Sequence, residues 1–181
     1  MKTSKPTIFF DRDGVLIRDK RYTYKPKDIE LVAHCKQTLT ELKKAGFAIF
    51  VITNQSGVAR NFYSTSQVIE AHKTLQDLLG PSASIDEFFV CTHIEGIDSP
   101  HPHARKCECR KPQTGLLELA AQKYSIDKKK TWLVGDRKSD IDCAKNFGIS
   151  SIQYVNSQYE LHSDPDYSIK DLRKILDIVS S

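Results

Sequence analysis

The chain has 181 residues, of which 39% are hydrophobic and 28% are charged, and its net charge at pH 7 is +4. These values are typical of a globular protein, and we expect one domain spanning residues 1–181. No apolar run reaches the roughly 20 residues that cross a bilayer, and the N-terminus lacks the apolar core of a signal peptide. We therefore expect a cytoplasmic protein without a membrane partner. The five cysteines do not indicate a disulfide framework, because their number is odd and three lie close together.

The first predicted element is a short apolar strand that ends in acidic residues. Thr7-Ile8-Phe9-Phe10 is typical of a buried strand in a parallel sheet, and Asp11-Arg12-Asp13-Gly14 follows it directly. Open α/β sheets bind their ligands at the carboxyl ends of their strands. Two aspartates at such an edge repel each other unless a cation or a shared proton separates them. One of them can then act as a nucleophile or metal ligand while the other holds a proton.

The rest of the chain alternates predicted helices and strands. After an unpatterned flap at residues 15–29, we expect helices at about 35–45, 64–79, 114–124 and 141–147, and strands at about 47–52, 88–90, 131–134 and 151–155. Ser168 is expected to cap a C-terminal helix, whereas the stretch from Asn156 to Tyr167 has no clear pattern. This alternation predicts a doubly wound, Rossmann-like parallel sheet with helices on both faces and no large cap domain.

Polar residues gather at the ends of three predicted strands. Asp11 and Asp13 follow the first strand, Thr53 and Asn54 the second, and Asp136 a later one, with Asp140 close behind. Clustered carboxylates suit Mg²⁺, which also binds water and substrate phosphate oxygens. Lys111 adds a positive charge that can neutralise a phosphoryl group in a transition state.

Three cysteines and one histidine form a second candidate site. Cys91, His93, Cys107 and Cys109 are the ligand set of a closed, structural zinc site. A metal bound there would fix the conformation of the unpatterned loop at about 91–109, which lies next to Lys111 in the sequence. His101 and His103 are weaker candidates for the nitrogen ligand, and free buried cysteines with an incidental histidine are the alternative reading. Cys35 and Cys143 fall on predicted helices, where we expect small core residues.

The motifs, taken together, resemble those of phosphatases of the haloacid dehalogenase superfamily. The matching stretches are Asp11-Arg12-Asp13-Gly14-Val15, Thr53 within Ile52-Thr53-Asn54, Lys111, and Gly135-Asp136 with Asp140. The resemblance implies that Asp11 attacks phosphorus and becomes an aspartyl phosphate. It also implies that Asp13 protonates the leaving oxygen and then activates water.

The same resemblance implies roles for the remaining motif residues. Thr53 and Lys111 would hold phosphoryl oxygens. Asp11, the carbonyl group of Asp13 and Asp136 would bind Mg²⁺. Asp140 is expected to support the site or cap a helix and is not assigned as a Mg²⁺ ligand.

The cysteine cluster narrows the resemblance to a zinc-loop subfamily, which includes heptose bisphosphate phosphatases and histidinol-phosphate phosphatases. Residues 53–60 and the Arg110-Lys111-Pro112 run look more like the heptose enzymes. That resemblance implies Mg²⁺-dependent hydrolysis of heptose 1,7-bisphosphate at the 7-position, a step toward lipopolysaccharide precursors. The implied substrate-binding residues are Asp19, Lys20, Arg21, Tyr22, Thr53, Asn54, Gln55, Ser56, Arg110, Lys111 and Arg137. The family usually has asparagine where this chain has Ile17 and glycine where it has Arg21, and often Pro-Gly-Met where it has Thr114-Gly115-Leu116. The two flap substitutions bear on the sugar specificity and leave the phosphoryl chemistry untouched.

Three other functions fit parts of the sequence. A histidinol-phosphate or other small phosphomonoester phosphatase would use the same chemistry. A polynucleotide 3′-phosphatase would share the acidic motif, but the chain has no long basic stripe with interleaved aromatic residues. A non-catalytic sugar-phosphate sensor would not need Asp11, Asp13 and Asp136 together. We therefore expect a phosphorylated sugar as partner, no nucleic acid, and a monomer.

Overall fold

A computed structural model of the chain describes residues 5–156 and 164–180. The strands are β1 (Thr7–Phe10), β2 (Ala48–Asn54), β3 (Glu87–Cys91), β4 (Thr131–Gly135), β5 (Ser150–Tyr154) and β6 (Tyr167–Ile169). The helices are α1 (Cys35–Lys44), α2 (Thr65–Leu79), α3 (Gly115–Lys123), α4 (Lys138–Phe147) and α5 (Lys174–Val179). The six strands form one sheet in the order β3-β2-β1-β4-β5-β6, and every neighbouring pair is parallel.

Helices cover both faces of this sheet because its central strands are apolar on both sides. Side chains alternate along a strand, so Ile8 and Phe10 point to one face and Phe9 to the other. The first face packs against residues of α1, α2 and α5, and the second against residues of α3 and α4. Cys35 is buried in the first core and Cys143 in the second, which confirms that both are small core residues.

The doubly wound parallel sheet is confirmed, and the predicted helices and strands lie within a few residues of the observed ones. At the N-terminus of α2, the Ser64 hydroxyl accepts from the Gln67 backbone and the Gln67 side chain accepts from the Ser64 backbone. The helix predicted to begin at Ile141 begins earlier, at Lys138. The part of the chain that the structure describes contains no large cap domain.

The prediction for Ser168 is wrong. Ser168 lies in β6, where it pairs with Gln153 of β5, and α5 begins six residues later at Lys174. The short run Tyr167–Ile169 extends the sheet by one edge strand because Ile169 is buried against the core. Of the unpatterned stretch from Asn156 to Tyr167, residues 157–163 lie outside the described part of the chain.

None of the helices in the described ranges is both long enough and apolar enough to span a membrane.

Candidate active site

The strand order brings three sets of polar residues to one edge of the sheet. β1 lies between β2 and β4, and all three run in the same direction. Asp11 directly follows β1, Thr53 lies near the end of β2, and Asp136 directly follows β4. The carboxyl ends of these central strands therefore form the floor of one site, as the sequence predicted.

Lys111 reaches this floor from the loop between β3 and α3. Its Nζ lies 2.7 Å from Asp11 Oδ1, 2.7 Å from Asp140 Oδ1 and 2.9 Å from the Ile52 carbonyl oxygen. The side chain is 3% exposed. Burial alone would lower the pKa of Lys111, but the two carboxylates outweigh burial and raise it. Lys111 is therefore a fixed positive charge at the end of β1.

Asn54 fixes the backbone of the loop that carries Lys111. The Asn54 side chain donates to the Lys111 carbonyl oxygen and accepts from the Lys111 N–H, both at 3.1 Å. This paired contact makes Asn54 a structural partner of the lysine as well as a residue that lines the cleft.

Asp13 is held from two sides. The Arg12 guanidinium donates to both of its carboxylate oxygens, at 2.9 and 3.1 Å, and Gln55 Nε2 donates to Oδ2 at 2.7 Å. Arg12 is itself 1% exposed and donates to the Thr23 carbonyl oxygen in the flap. Burial raises the pKa of Asp13, although Arg12 opposes that shift. A raised pKa suits a carboxyl group that must carry a proton at one stage of a reaction.

Asp11, Asp136 and Asp140 form an acidic cluster whose ligand atoms lie within 4.8 Å of one another. Burial raises the pKa of Asp136 to about 7, and the charges of Asp11 and Asp140 add to the shift. Asp136 Oδ1 is buried and accepts no hydrogen bond from any described residue, while Oδ2 accepts from Asn156 Nδ2 at 2.8 Å. A buried carboxylate oxygen without a donor, beside a second carboxylate, fits a hard divalent cation.

Asp140 has other partners besides that cluster. Its Oδ2 accepts from the Arg137 N–H at the start of α4, at 3.1 Å, and its Oδ1 pairs with Lys111. Asp140 therefore caps α4 and supports the lysine, which is the supporting position expected from the sequence.

Gly14 lets the turn that follows β1 pass close to Asp136, which follows β4. Its φ angle is +87°, and a Cβ atom there would lie 2.1 Å from Asp136 Oδ2. Any side chain at this position would displace Asp136 from the site.

A cleft of about 410 Å³ opens above these residues. Among the residues expected to bind substrate, those that line the cleft are Asp19, Arg21, Tyr22, Thr53, Asn54, Gln55, Ser56, Arg110, Lys111 and Arg137. Lys20 is the exception: its ammonium pairs with Glu30 at 2.6 Å and faces a neighbouring cavity. The flap at residues 15–29 therefore presents Asp19, Arg21 and Tyr22 to the cleft and directs Lys20 away from it.

The two flap departures have different structural settings. Ile17 is fully buried in the first core, so it does not face substrate. Arg21 has a φ angle of +58°, in the left-handed region that favours the glycine typical of the family, and it lines the cleft. Of these two flap residues, Arg21 is therefore the one that lies at the cleft.

Cys91, His93, Cys107 and Cys109 come together at the end of β3. The three Sγ atoms lie 3.1–3.6 Å apart, and His93 Nδ1 is 3.8 Å from Cys91 Sγ and 3.4 Å from Cys109 Sγ. Zn–S bonds of about 2.3 Å in a tetrahedron place sulfurs roughly 3.8 Å apart, so this donor set fits zinc. His103 instead pairs with the Thr92 hydroxyl, at 2.8 Å.

Arg12, Tyr63 and Asn156 are among the residues of the site that were not singled out from the sequence. Arg12 lies inside the acidic motif, yet nothing in the sequence pattern indicates that its guanidinium forms hydrogen bonds with the Asp13 carboxylate. Tyr63, whose hydroxyl contacts Gln55 at 2.8 Å, follows β2 in an irregular segment without a pattern. Asn156 stands just beyond the end of β5, so the rule that strand ends carry ligand-binding residues could have found it.

The fold and this arrangement of aspartates and lysine define a phosphatase of the haloacid dehalogenase class. A family model described as HAD-hydrolase-like matches residues 108–175. A D-glycero-D-manno-heptose-1,7-bisphosphate 7-phosphatase of Thermosynechococcus vestitus is 33% identical over 180 residues, 93% of this chain and 92% of the relative. The chain therefore belongs to the heptose-1,7-bisphosphate 7-phosphatase family of that class.

Two further proteins are similar to the chain. The crystal structure of D,D-heptose 1,7-bisphosphate phosphatase from B. bronchiseptica, complexed with magnesium and phosphate, superposes with a TM-score of 0.80. It is 25% identical, and the match covers 96% of this chain and 97% of that one. The histidine biosynthesis bifunctional protein HisB of Campylobacter jejuni is 31% identical over 156 residues, 83% of this chain but 42% of HisB.

Proposed function

We propose that this protein hydrolyses D-glycero-D-manno-heptose 1,7-bisphosphate at the 7-position through a phosphoryl group carried on Asp11. The observation that carries the proposal is the contact between Lys111 and Asp11, at 2.7 Å, on the floor of a cleft that also holds Asp13. The family relationship supports the substrate, because the relatives similar over nearly their whole length are named for it.

In the first step, an Asp11 carboxylate oxygen attacks phosphorus while the bond from phosphorus to the sugar oxygen breaks. Asp13 gives its proton to that leaving oxygen. The Lys111 ammonium and the Thr53 hydroxyl bind the phosphoryl oxygens and stabilise their charge.

In the second step, Asp13 is ionised and takes a proton from a water molecule. The resulting hydroxide attacks phosphorus, the bond from phosphorus to Asp11 breaks, and inorganic phosphate leaves. Asp13 now holds the proton that it needs for the next cycle, so the reaction is balanced without another acid or base.

Mg²⁺ would be held by Asp11, Asp136 and the carbonyl oxygen of Asp13. When bound, it supplies the positive charge that lets these carboxylates and a phosphate dianion approach one another. Asp140 is not assigned as a ligand because Lys111 and the α4 N-terminus use its oxygens. Zinc would be held by Cys91, His93, Cys107 and Cys109, with no position open to substrate.

The charge of the cleft supports a bisphosphate over a monophosphate that carries an amine. Five cationic side chains line it: Arg21, Arg60, Arg110, Lys111 and Arg137. Lys111 is assigned to the transferred phosphoryl group, and Arg137 pairs with Asp19 at 2.9 Å. We therefore assign a second phosphate to Arg21, Arg60 and Arg110, because a guanidinium binds phosphate oxygens through two parallel hydrogen bonds. A histidinol phosphate would place its cationic amine among these arginines.

The proposal is tested by comparing substrates with the Mg²⁺- and Zn²⁺-loaded protein. We expect kcat/KM for heptose 1,7-bisphosphate to exceed that for histidinol phosphate by more than tenfold, and the product to retain its 1-phosphate. Preference for histidinol phosphate would assign the chain to the alternative activity. Loss of the 1-phosphate would show that the substrate binds in the opposite orientation, with its 1-phosphate at Asp11.

A further inference from the structure

The Gln55 side chain is fully engaged inside the protein. Its Nε2 donates to Asp13 Oδ2 at 2.7 Å and to Thr53 Oγ1 at 2.8 Å, and its Oε1 accepts from the Tyr63 hydroxyl at 2.8 Å. A side-chain amide offers two donor hydrogens and one acceptor oxygen, so every kind of hydrogen bond that it can make is used. Although Gln55 was expected to contact substrate, its amide is engaged by three protein groups.

The direction of these hydrogen bonds matters to Thr53. Since Gln55 Nε2 donates to the Thr53 oxygen, the proton of the Thr53 hydroxyl is free to donate to a phosphoryl oxygen. A rotated amide would instead present Oε1 to Thr53 and accept that proton. Thr53 would then lose the donor that it needs for phosphate.

The orientation of the amide matters equally to Asp13. An ionised carboxylate only accepts hydrogen bonds, so it favours the side of Gln55 that carries Nε2. In the proposed reaction, however, Asp13 is protonated at one stage, and a protonated carboxyl group can donate to Oε1 instead. At that stage another group must keep the amide from rotating.

Tyr63 is placed to be that group. It is 6% exposed, its ring stacks on Tyr24 with centroids 4.7 Å apart, and it lies against Gly57 so closely that a Cβ there would be 2.2 Å from the ring. These contacts restrict movement of the ring away from Gln55. Burial raises the pKa of the Tyr63 phenol to about 12, so the hydroxyl keeps its proton and remains a donor to Gln55.

We propose that Tyr63 is a positioning residue that fixes the orientation of the Gln55 amide through both steps of the reaction. Gln55 then donates to Asp13 and leaves the Thr53 hydroxyl free to donate to the transferred phosphoryl group. The inference rests on the proposed function of this site.

The kinetic test uses Tyr63→Phe, which removes the hydroxyl and keeps the ring. With p-nitrophenyl phosphate and Mg²⁺, we expect kcat to fall about tenfold, the effect of one lost hydrogen bond, and KM to stay within twofold. In a Gln55→Leu background, Tyr63→Phe should cause no additional loss, because the two residues act as one unit. The matched control is Tyr124→Phe, which removes a phenol hydrogen bond to Glu87, and it should leave kcat unchanged.

A second measurement does not depend on turnover. We expect the two Nε2 hydrogens of Gln55 to exchange slowly with solvent by NMR, and to exchange much faster in Tyr63→Phe. If the losses of kcat in Gln55→Leu and Tyr63→Phe were additive in the double variant, the role of Tyr63 would be overturned. The same follows if Tyr63→Phe does not change the exchange rate of the Gln55 Nε2 hydrogens. Absence of phosphatase activity in the unmutated protein would overturn the proposed function instead, while the exchange measurement would still decide the orientation of Gln55.

Discussion

The Lys111 ammonium lies 2.7 Å from the Asp11 carboxylate, although 100 residues separate the two in the chain. Both side chains are buried, so this ion pair is shielded from solvent, and a phosphoryl group on Asp11 would meet the lysine directly. The contact joins the end of β1 to the loop that follows the cysteine cluster. Chemistry at Asp11 therefore depends on how that loop is held.

Replacing the nucleophile should stop turnover without unfolding the protein. Asp11→Asn keeps the volume of the side chain but removes the attacking carboxylate, so we expect kcat to fall by about a thousandfold or more. The measurement is steady-state hydrolysis with Mg²⁺, together with circular dichroism. Asp142→Asn, which removes a surface partner of Lys138, is the control and should retain full activity. An Asp11→Asn variant within tenfold of the unmutated protein would exclude Asp11 as nucleophile.

The cysteine cluster should bind one zinc ion per chain. Cys107→Ser removes one sulfur ligand, so we expect it to lose zinc and to unfold at a lower temperature. KM should rise as well, because the loop carrying Arg110 and Lys111 loosens. Metal analysis and thermal unfolding measure these effects, with Cys35→Ala as a control that loses core packing but keeps its zinc. Protein purified without chelator and free of zinc would refute the site.

Arg110 should select for a second phosphate. It lines the cleft beside Lys111, and its Nη1 donates to the His93 carbonyl oxygen at 3.2 Å, so part of the guanidinium is left to reach substrate. We expect Arg110→Ala to raise KM for heptose 1,7-bisphosphate about ten- to a hundredfold, the value of a charged hydrogen bond, and to change KM for p-nitrophenyl phosphate little. Arg173→Ala, far along the chain in an exposed ion pair, controls for loss of charge. Equal losses on both substrates would place Arg110 at the transferred phosphoryl group.

His72 should make the protein less stable in acid. Its ring stacks on Phe88, and burial lowers its pKa from 6.5 to about 3. Between these two values the unfolded chain binds a proton that the folded protein does not, so stability falls as pH falls below 6.5. Each pH unit costs about 1.4 kcal/mol, or about 2 kcal/mol between pH 6.5 and 5.

Urea unfolding at pH 6.5 and pH 5 measures this contribution. We expect His72→Asn to show a smaller loss of unfolding free energy than the unmutated protein over that interval. His34→Asn, at an exposed histidine, should leave the loss unchanged. An identical pH dependence in His72→Asn would mean that other groups cause the acid sensitivity.

The floor of the site could be predicted from the sequence because it depends on local signals. Asp11, Thr53 and Asp136 each stand at the end of an apolar run, and parallel strands bring such ends to one edge. Lys111 does not follow a predicted strand, and its loop has no periodic pattern. Its charge made it a candidate for a phosphoryl group, but nothing in the sequence shows that this loop folds back to the end of β1.

The remaining features depend on packing between distant segments. Tyr63 acts on the site because its ring fits against Gly57 and Tyr24, which no spacing in the sequence reveals. The edge strand β6 has only three residues, too few for an alternating pattern, and Ser168 within it resembles a helix cap. Lys20 and Arg21 are adjacent and carry the same charge, so the sequence does not distinguish them. The turn of the flap places Arg21 at the cleft and pairs Lys20 with Glu30.

The most direct test of the central claim is to trap the phosphoryl group on the protein. Asp13→Asn retains the Asp11 nucleophile but lacks the base that activates water. Incubated with Mg²⁺ and p-nitrophenyl phosphate, whose leaving group needs little protonation, it should accumulate phosphoprotein, and mass spectrometry of its peptides should find one phosphoryl group on Asp11. Release of nitrophenol by this variant without any phosphorylated peptide, or a phosphoryl group on another residue, would contradict the account.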